Sequence, residues 1–365
     1  MEFVFCKDGF KTRVVYWEEL DLTAVEKYMK DVDTLEARYP RNVDELIREK
    51  YEDFISYIEY KGHWGGQTHS IEIDLSQSEE AILRQFNKTC IYEVRRAESR
   101  DKLYFDISEK PNQLQIQEYL DFYDMFANQK NRAKIDRNIV EAILESGRLY
   151  IAVARDEERK PLVMHGYLVD SSRGFASLYT SSSLFRNTGI DANAVSRANR
   201  WLHYQAMIFF KHKGMLTYDM GGLYIGDENE ELSRISQFKS GFGGKIVDYS
   251  SSFIIHRKEA EILEDSLSEL SNSFIEKDVV VWGANWKGKY LRKLLERNYG
   301  IKVLYFIDNK LSKDNDIYVG EEVLGKVDEN KSIILLAMNS RSCSEVLKKT
   351  VMEKYVENGT VVSFS

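Results

Sequence analysis

The chain's 365 residues are 43% apolar and 30% charged. That is more chain than one hydrophobic core usually organises, so two or three domains are expected, and the composition excludes a disordered segment or a membrane bundle. A formal charge of −8 and a pI of about 5.5 leave no global basic footprint for DNA. Cys6, Cys90 and Cys343 are scattered and odd in number, which excludes a disulfide framework and any CxxC metal pair. With no leader-like N-terminus and no run of about 18 apolar residues, the expected setting is reducing and cytoplasmic.

In chain order, Val43, Leu46, Ile47, Tyr51, Phe54 and Ile58 recur at helical spacing and predict one helix across residues 40–60. A turn cluster at 61–66 leads to HSIEIDL, whose alternation predicts a strand. Ser76 followed by Glu79 forms a capping-box pattern that opens a helix running to residue 98. After a short strand, LYFDI, helices are predicted over 112–128 and 134–147. Three strand-like runs follow: LYIAVARDE, PLVMHGYLVD and FASLYTSSS. Residues 193–213 form a long helix with Val195, Ala198, Leu202, Ala206 and Phe209 on one stripe, and Gly214 ends it. Next come a strand at 216–220, a short helix at 230–240 and one long strand, KIVDYSSSFIIH. A charged amphipathic helix at 258–274 connects to the last part of the chain.

The most informative stretch lies between Thr180 and Ile255. It carries Tyr218-Asp219-Met220-Gly221-Gly222 and then Phe238-Lys239-Ser240-Gly241-Phe242-Gly243-Gly244. In order and spacing these pieces resemble the Fem family of peptidyltransferases and the wider GNAT superfamily, over roughly residues 70–256. The resemblance implies an α/β fold with a mixed sheet: an abbreviated N-terminal GNAT-like half at 1–110 and a GNAT/Fem-like acyltransferase domain at 111–257. It also implies transfer of an acyl or aminoacyl group, from acyl-CoA or aminoacyl-tRNA, to an amine or hydroxyl of a glycan or peptidoglycan-type precursor. One departure concerns the donor. CoA-dependent relatives carry a Gly-rich pyrophosphate loop before the long helix, whereas FRNTGIDANAVSRAN stands here, with Gly189 as its turn glycine.

Residue chemistry supports a site in the same place. A strand ending in Gly221-Gly222 can bend sharply and bare its N–H groups. Asp219 at that strand end suits accepting a proton from, or orienting, an attacking nucleophile. Lys239, beside Gly241 and Gly243, suits stabilising negative charge on a carbonyl oxygen or phosphate. Tyr218 belongs to the same turn. Arg186, Arg197 and Asn199, near the start of the long helix, are candidates for a phosphate or carboxylate. His203 lies one residue from the apolar stripe, and His165 is expected to be a buried, hydrogen-bonded core residue. No group of His, Asp and Glu has metal spacing.

Residues 275–365 begin with the apolar strand Val279–Trp282, a Gly-containing turn, a helix, and a strand ending in Asp308-Asn309. A βαβ unit is predicted. It resembles the Rossmann-like N-terminal domains of sugar O-acyltransferases. Gly283 and Gly288 stand at the first and third fingerprint positions, but Asn285 replaces the second glycine, which disfavours NAD. With Asp308 these residues are candidates for a nucleotide or nucleotide-sugar. Two functions follow as expectations: an acyl- or aminoacyl-transferase, or a non-catalytic nucleotide-sugar-binding recruitment protein.

Overall fold

The computed structural model describes every residue except 8, 59–68, 186–188, 190, 227–228, 309–317, 322–327, 329–330, 339, 350–351, 353–355, 357–360 and 365. It divides into two units. The first comprises Met1–Leu20, Ala37–Val43 and Ile58–Ser252, and the second Asp21–Glu36, Asp44–Tyr57 and Phe253–Ser365.

The first unit is built on a seven-stranded mixed sheet. Its spatial order is Lys245–Asp248, His69–Asp74, Thr217–Asp219, Phe175–Ser183, Pro161–Asp170, Leu149–Arg155 and Tyr104–Ser108. Alternate residues of each strand face opposite ways, so the sheet feeds two cores. Ala152, Ala154, Val163, Tyr167, Ala176 and Tyr218 pack against helices Lys88–Arg100 and Ala192–His212. Leu149, Ile151, Val153, Met164, Leu168 and Phe175 pack on the opposite face. Helices Gln113–Lys130 and Arg137–Glu145 and the hairpin Glu2–Lys7/Phe10–Tyr16 cover that side. Because both faces are covered, nine of the ten residues of Pro161–Asp170 are buried.

All neighbours in this sheet are antiparallel except one pair. Phe175–Ser183 runs parallel to Thr217–Asp219, with Phe175, Ala176 and Ser177 opposite Thr217, Tyr218 and Asp219. The longer strand continues past this three-residue match, and the shorter one ends in the glycine pair at 221–222.

Several sequence expectations are corrected in detail. The helix expected across 40–60 is only Glu45–Tyr51, capped by Asp44. Ile55–Tyr57 is instead a strand that pairs with Phe253–Ile255, since cross-strand pairing overrides the helical spacing of Phe54 and Ile58. The capping box at Ser76 does not form. Ser76 hydrogen-bonds back to Asp74, and Ser78 caps the helix by accepting from the Ala81 N–H. That helix also breaks into Glu79–Arg84 and Lys88–Arg100, because Asn87 caps a second start while its own N–H binds the Gly241 carbonyl. The long strand predicted at 245–256 is two strands separated by residues 249–252.

The second unit holds a five-stranded, wholly parallel sheet. Its order is Tyr318–Val319, Val303–Ile307, Asp278–Trp282, Ser332–Leu336 and Val361–Ser363. The inner strands are continuous apolar runs, VVVW and IILL, because both faces are buried. Val279, Val281, Ile333 and Leu335 meet helices Arg257–Leu270 and Trp286–Tyr299. Val280, Trp282, Ile334 and Leu336 meet Cys343, Val346 and Met352.

Candidate functional site

The end of Thr217–Asp219 gathers buried polar groups on both faces of the sheet. Asp219 is 2% exposed. Its Oδ1 accepts from Ser177 Oγ at 3.0 Å and from the Gly221 N–H at 2.7 Å. The Tyr249 hydroxyl lies 3.1 Å from Asp219 Oδ2 and 2.9 Å from Glu72 Oε1, so one proton serves two carboxylates. Burial raises the Asp219 pKa above the ordinary carboxylate range, against the pull of the Gly221 and Ser177 hydrogen bonds. Tyr249 is pushed well up by burial and the two acids.

Lys239 lies on the last turn of Glu230–Ser240 and is 8% exposed. The Phe238–Gly244 motif is therefore a helix end followed by a turn rather than a free loop: Gly241 is the helix C-cap, and Gly243 and Gly244 follow with φ of 73° and 85°. Lys239 Nζ donates to the carbonyls of Gly221 at 3.0 Å and Gly222 at 2.6 Å, and Ser70 Oγ also donates to the Gly221 carbonyl. Burial lowers the lysine pKa to about 8, partly offset by Asp219. Gly221 is required on two counts: its φ is +69°, and a Cβ there would lie 2.8 Å from the Leu178 carbonyl oxygen.

On the other face, Tyr218 joins a buried chain of hydrogen bonds. His203 Nδ1 lies 2.7 Å from Tyr218 Oη, which lies 3.0 Å from Tyr167 Oη. Tyr167 Oη lies 2.9 Å from His165 Nδ1, and His165 Nε2 lies 2.8 Å from Asn199 Oδ1. The acceptor at the far end sets the donor order. Asn199 Oδ1 only accepts, so His165 carries its proton on Nε2 and takes the Tyr167 proton on Nδ1. Tyr167 then accepts from Tyr218, and Tyr218 accepts from His203 Nδ1–H. His203 is thereby held with its lone pair on Nε2. Burial keeps both rings neutral: it lowers His165 to about 3 and His203 well below its ordinary value, where the charges of Lys239 and Arg200 add to the effect. Phe238 and Phe242 flank the His203 ring at 5.8 and 5.1 Å.

Among the residues proposed from sequence, Asp219, Gly221, Gly222 and Lys239 meet at one strand end, while Tyr218, His203 and Asn199 share the hydrogen-bonded chain, whose His203 ring packs on Phe238 and Phe242 and feels the charge of Lys239. Gly241 and Gly243 shape the turn that follows the Lys239 helix. Arg197 is bound to Asp101, with Nε–Oδ2 at 2.6 Å and Nη2–Oδ1 at 3.1 Å. Its neighbour Arg200 pairs with Glu93 and Ser196. Arg186 lies outside the described residues. Sequence reasoning missed Tyr249, Ser177, Glu72 and Ser70, whose types are ordinary for strands. Tyr167 carried a usable signal, since it lies two residues from His165 on the same strand face.

In the second unit, Gly283 and Gly288 pack backbone against backbone. A Cβ at Gly283 would lie 2.5 Å from the Ala337 carbonyl oxygen, and one at Gly288 2.0 Å from the Gly283 carbonyl oxygen. Asn285 caps helix Trp286–Tyr299 by accepting from the Gly288 N–H, and its amide donates to the Ala337 carbonyl. Asp308 Oδ2 accepts from the Ala284 N–H at 3.3 Å. Among the described residues no cluster of His, Cys, Asp and Glu has the makings of a metal site, and no helix is long and apolar enough to cross a membrane.

No protein-family model and no curated protein sequence matches this chain. Among solved structures, FemX is similar with a TM-score of 0.49 at 10% identity, over 73% of this chain and 85% of FemX. The C-terminal domain of a putative lysylphosphatidylglycerol synthetase from Agrobacterium fabrum is similar with a TM-score of 0.41 at 13% identity, over 75% and 88% of the two chains. L-PGS from Bacillus licheniformis gives 0.41 at 12% identity, over 70% and 83%. At this level of identity these are similarities of chain path.

Proposed function

We propose that the first unit is an acyl- or aminoacyl-transferase that acylates an amine or hydroxyl of a cell-surface glycan or peptidoglycan-type precursor. The observation that carries this reading is the end of the Thr217–Asp219 strand. There the parallel pairing stops, a left-handed Gly221 bends the chain, and a buried lysine of lowered pKa sits on the two glycine carbonyls. The motif resemblance of residues 218–222 and 238–244 to Fem-type transferases points the same way.

In this reading the donor carbonyl lies at the strand end, where the positive charge of Lys239 favours its developing oxyanion. The acceptor attacks, and the neutral His203, with its lone pair held on Nε2, takes the acceptor's proton; the bond from the acyl carbon to the donor's thiol sulfur or ribose oxygen then breaks, and that group leaves with the proton from His203. Asp219 is the positioning group: through Ser177, the Gly221 N–H and Tyr249 it fixes the turn that Lys239 clamps. The donor is an aminoacyl-tRNA or an acyl-CoA.

The test is turnover with acyl-CoAs and aminoacyl-tRNAs against amino-sugar and peptidoglycan-precursor acceptors. Lys239→Ala and His203→Gln are each expected to lower kcat/KM by on the order of a hundredfold. Full turnover in both variants overturns the assignment of roles.

For the second unit we propose a Rossmann-like domain with a nucleotide-sugar as its ligand class. The reading rests on Asp308 beside the Gly283 turn and on the strand order, which reverses between Asp278–Trp282 and Ser332–Leu336. Thermal stabilisation of the full chain by a UDP-sugar but not by NAD supports it. No shift with any UDP-sugar sinks it.

A further inference from the structure

Three side chains outside the transferase reading meet in the second unit. Ser56 lies on the strand Ile55–Tyr57, and His256 directly follows its antiparallel partner Phe253–Ile255. Glu259 lies in the first turn of helix Arg257–Leu270. Pairing Ile55 with Ile255 brings Ser56 to His256, and the helix turn brings Glu259 to the other side of the ring. Ser56 Oγ lies 2.7 Å from His256 Nε2, and His256 Nδ1 lies 2.9 Å from Glu259 Oε2.

The proton positions follow from the chemistry of the partners. Burial pushes the Glu259 pKa up, but the His256 hydrogen bond and the charge of Lys287 pull it below its ordinary value. Glu259 is therefore an ionised, acceptor-only carboxylate, and His256 must carry its proton on Nδ1. Nε2 then holds the lone pair and receives the Ser56 hydroxyl proton. A nucleophile against a base, with the base oriented by a third group, is the diagnostic arrangement of an activated serine.

The surroundings fix this arrangement. Lys287 Nζ lies 3.3 Å from Glu259 Oε1 and holds the carboxylate from its second oxygen. The Trp286 ring stacks on His256 with centroids 4.2 Å apart and planes 13° apart, which sets the ring's plane. Trp286 is also the first residue of its helix, so the stack brings His256 against a helix N-terminus, a source of positive potential for an oxyanion. The His256 side chain is 13% exposed and Ser56 is partly exposed. The i,i+3 spacing at the helix start accounts for the contact between His256 and Glu259, but not for a serine hydroxyl on the opposite ring nitrogen.

We propose that Ser56, His256 and Glu259 form a second reactive centre, a serine nucleophile that accepts the acyl group of an activated ester. Ser56 Oγ bonds to the acyl carbon as its proton passes to His256 Nε2. The bond to the leaving group breaks, and that group departs with the proton from His256. Water or an acceptor hydroxyl releases the acyl group by the reverse sequence. This centre stands independently of the transferase reading.

The test is labelling of the full chain with a fluorophosphonate–biotin probe. Oγ displaces fluoride from phosphorus, and His256 takes the serine proton. The expected result is one label, on tryptic peptide 51–61, whose only serine is Ser56. Ser56→Ala abolishes it, and His256→Asn and Glu259→Gln slow it by on the order of a hundredfold and tenfold respectively. Labelling of the folded wild type no faster than of the heat-unfolded chain, or a label mapped to another peptide, overturns the proposal. Because the peptide is mapped on wild-type protein, a variant that fails to fold leaves the test decisive.

Discussion

Each unit follows a strand with a glycine turn packed against backbone, and the two turns differ in what their carbonyls and neighbours hold. At Gly283–Gly288 the missing side chains are filled by backbone: the Ala337 and Gly283 carbonyl oxygens occupy the space, and Asn285 bridges the turn to Ala337. At Gly221 the Leu178 carbonyl oxygen likewise fills the side-chain space, but here the carbonyls of Gly221 and Gly222 both accept from a buried ammonium, with a buried carboxylate two residues away. The first arrangement is a packing joint. The second concentrates ionisable groups whose burial shifts their pKa values, which makes it the candidate site.

The largest expected effect tests the packing joint. A Cβ at Gly288 meets the Gly283 carbonyl oxygen at 2.0 Å, a backbone atom rather than the free end of a side chain. Gly288→Ala is expected to destabilise the second unit by more than about 4 kcal/mol, seen as early loss of its transition in urea. A shift within experimental error breaks the contrast, because it makes this turn the looser of the two.

The second effect belongs to the Gly221–Gly222 turn. Lys239 has an ordinary pKa of 10.5 and a folded value of about 8. Between those values the unfolded chain binds the proton more tightly, so unfolding free energy rises with pH across that window. The gain is on the order of 3 kcal/mol at full burial. Wild type minus Lys239→Met, measured by urea unfolding from pH 7.5 to 10.5, is expected to show this rise. A flat difference means that the ammonium is solvated in the native state.

How far these features were legible in the sequence follows the same division. The motif pair at 218–222 and 238–244 marked the strand end, because glycine pairs and an isolated Asp and Lys are rare signals with a local cause. The βαβ pattern after residue 277 was legible because a parallel strand buried on both faces is a continuous apolar run. The hairpin Glu2–Lys7/Phe10–Tyr16 was not, because its register depends on packing against Ile116, Val140 and Ile143 far along the chain. Nor was the His203–Asn199 chain. It assembles residues from two strands and a helix, and no local pattern records that their hydroxyl and ring nitrogens meet.

A third prediction addresses that chain. Tyr167→Phe removes one hydroxyl at its middle and leaves the Tyr218 O–H and His165 Nδ1 without their partner. The cost is expected to be about 1–3 kcal/mol. The 15N shifts of His203 should also lose the signature of a fixed Nδ1–H tautomer. Unchanged shifts would show that Tyr218 alone sets the tautomer, and the chain would then matter to His203 only through its nearest link.

The smallest effect returns to the packing joint. Asn285 accepts from the Gly288 N–H and donates to the Ala337 carbonyl, so Asn285→Ala removes a helix cap and a bridge between adjacent strand ends. Cap loss costs about 1 kcal/mol, and the urea midpoint of the second unit should fall accordingly with an unchanged slope. Asn285→Gly makes the comparison sharper. It restores the glycine of the dinucleotide fingerprint, frees the Gly288 N–H for a phosphate, and keeps most of the cap's stability, since glycine is tolerated at that position. If the bridge is what keeps this turn from cradling a dinucleotide, Asn285→Gly gains a thermal shift with NAD that Asn285→Asp, which keeps the cap acceptor but places negative charge there, does not.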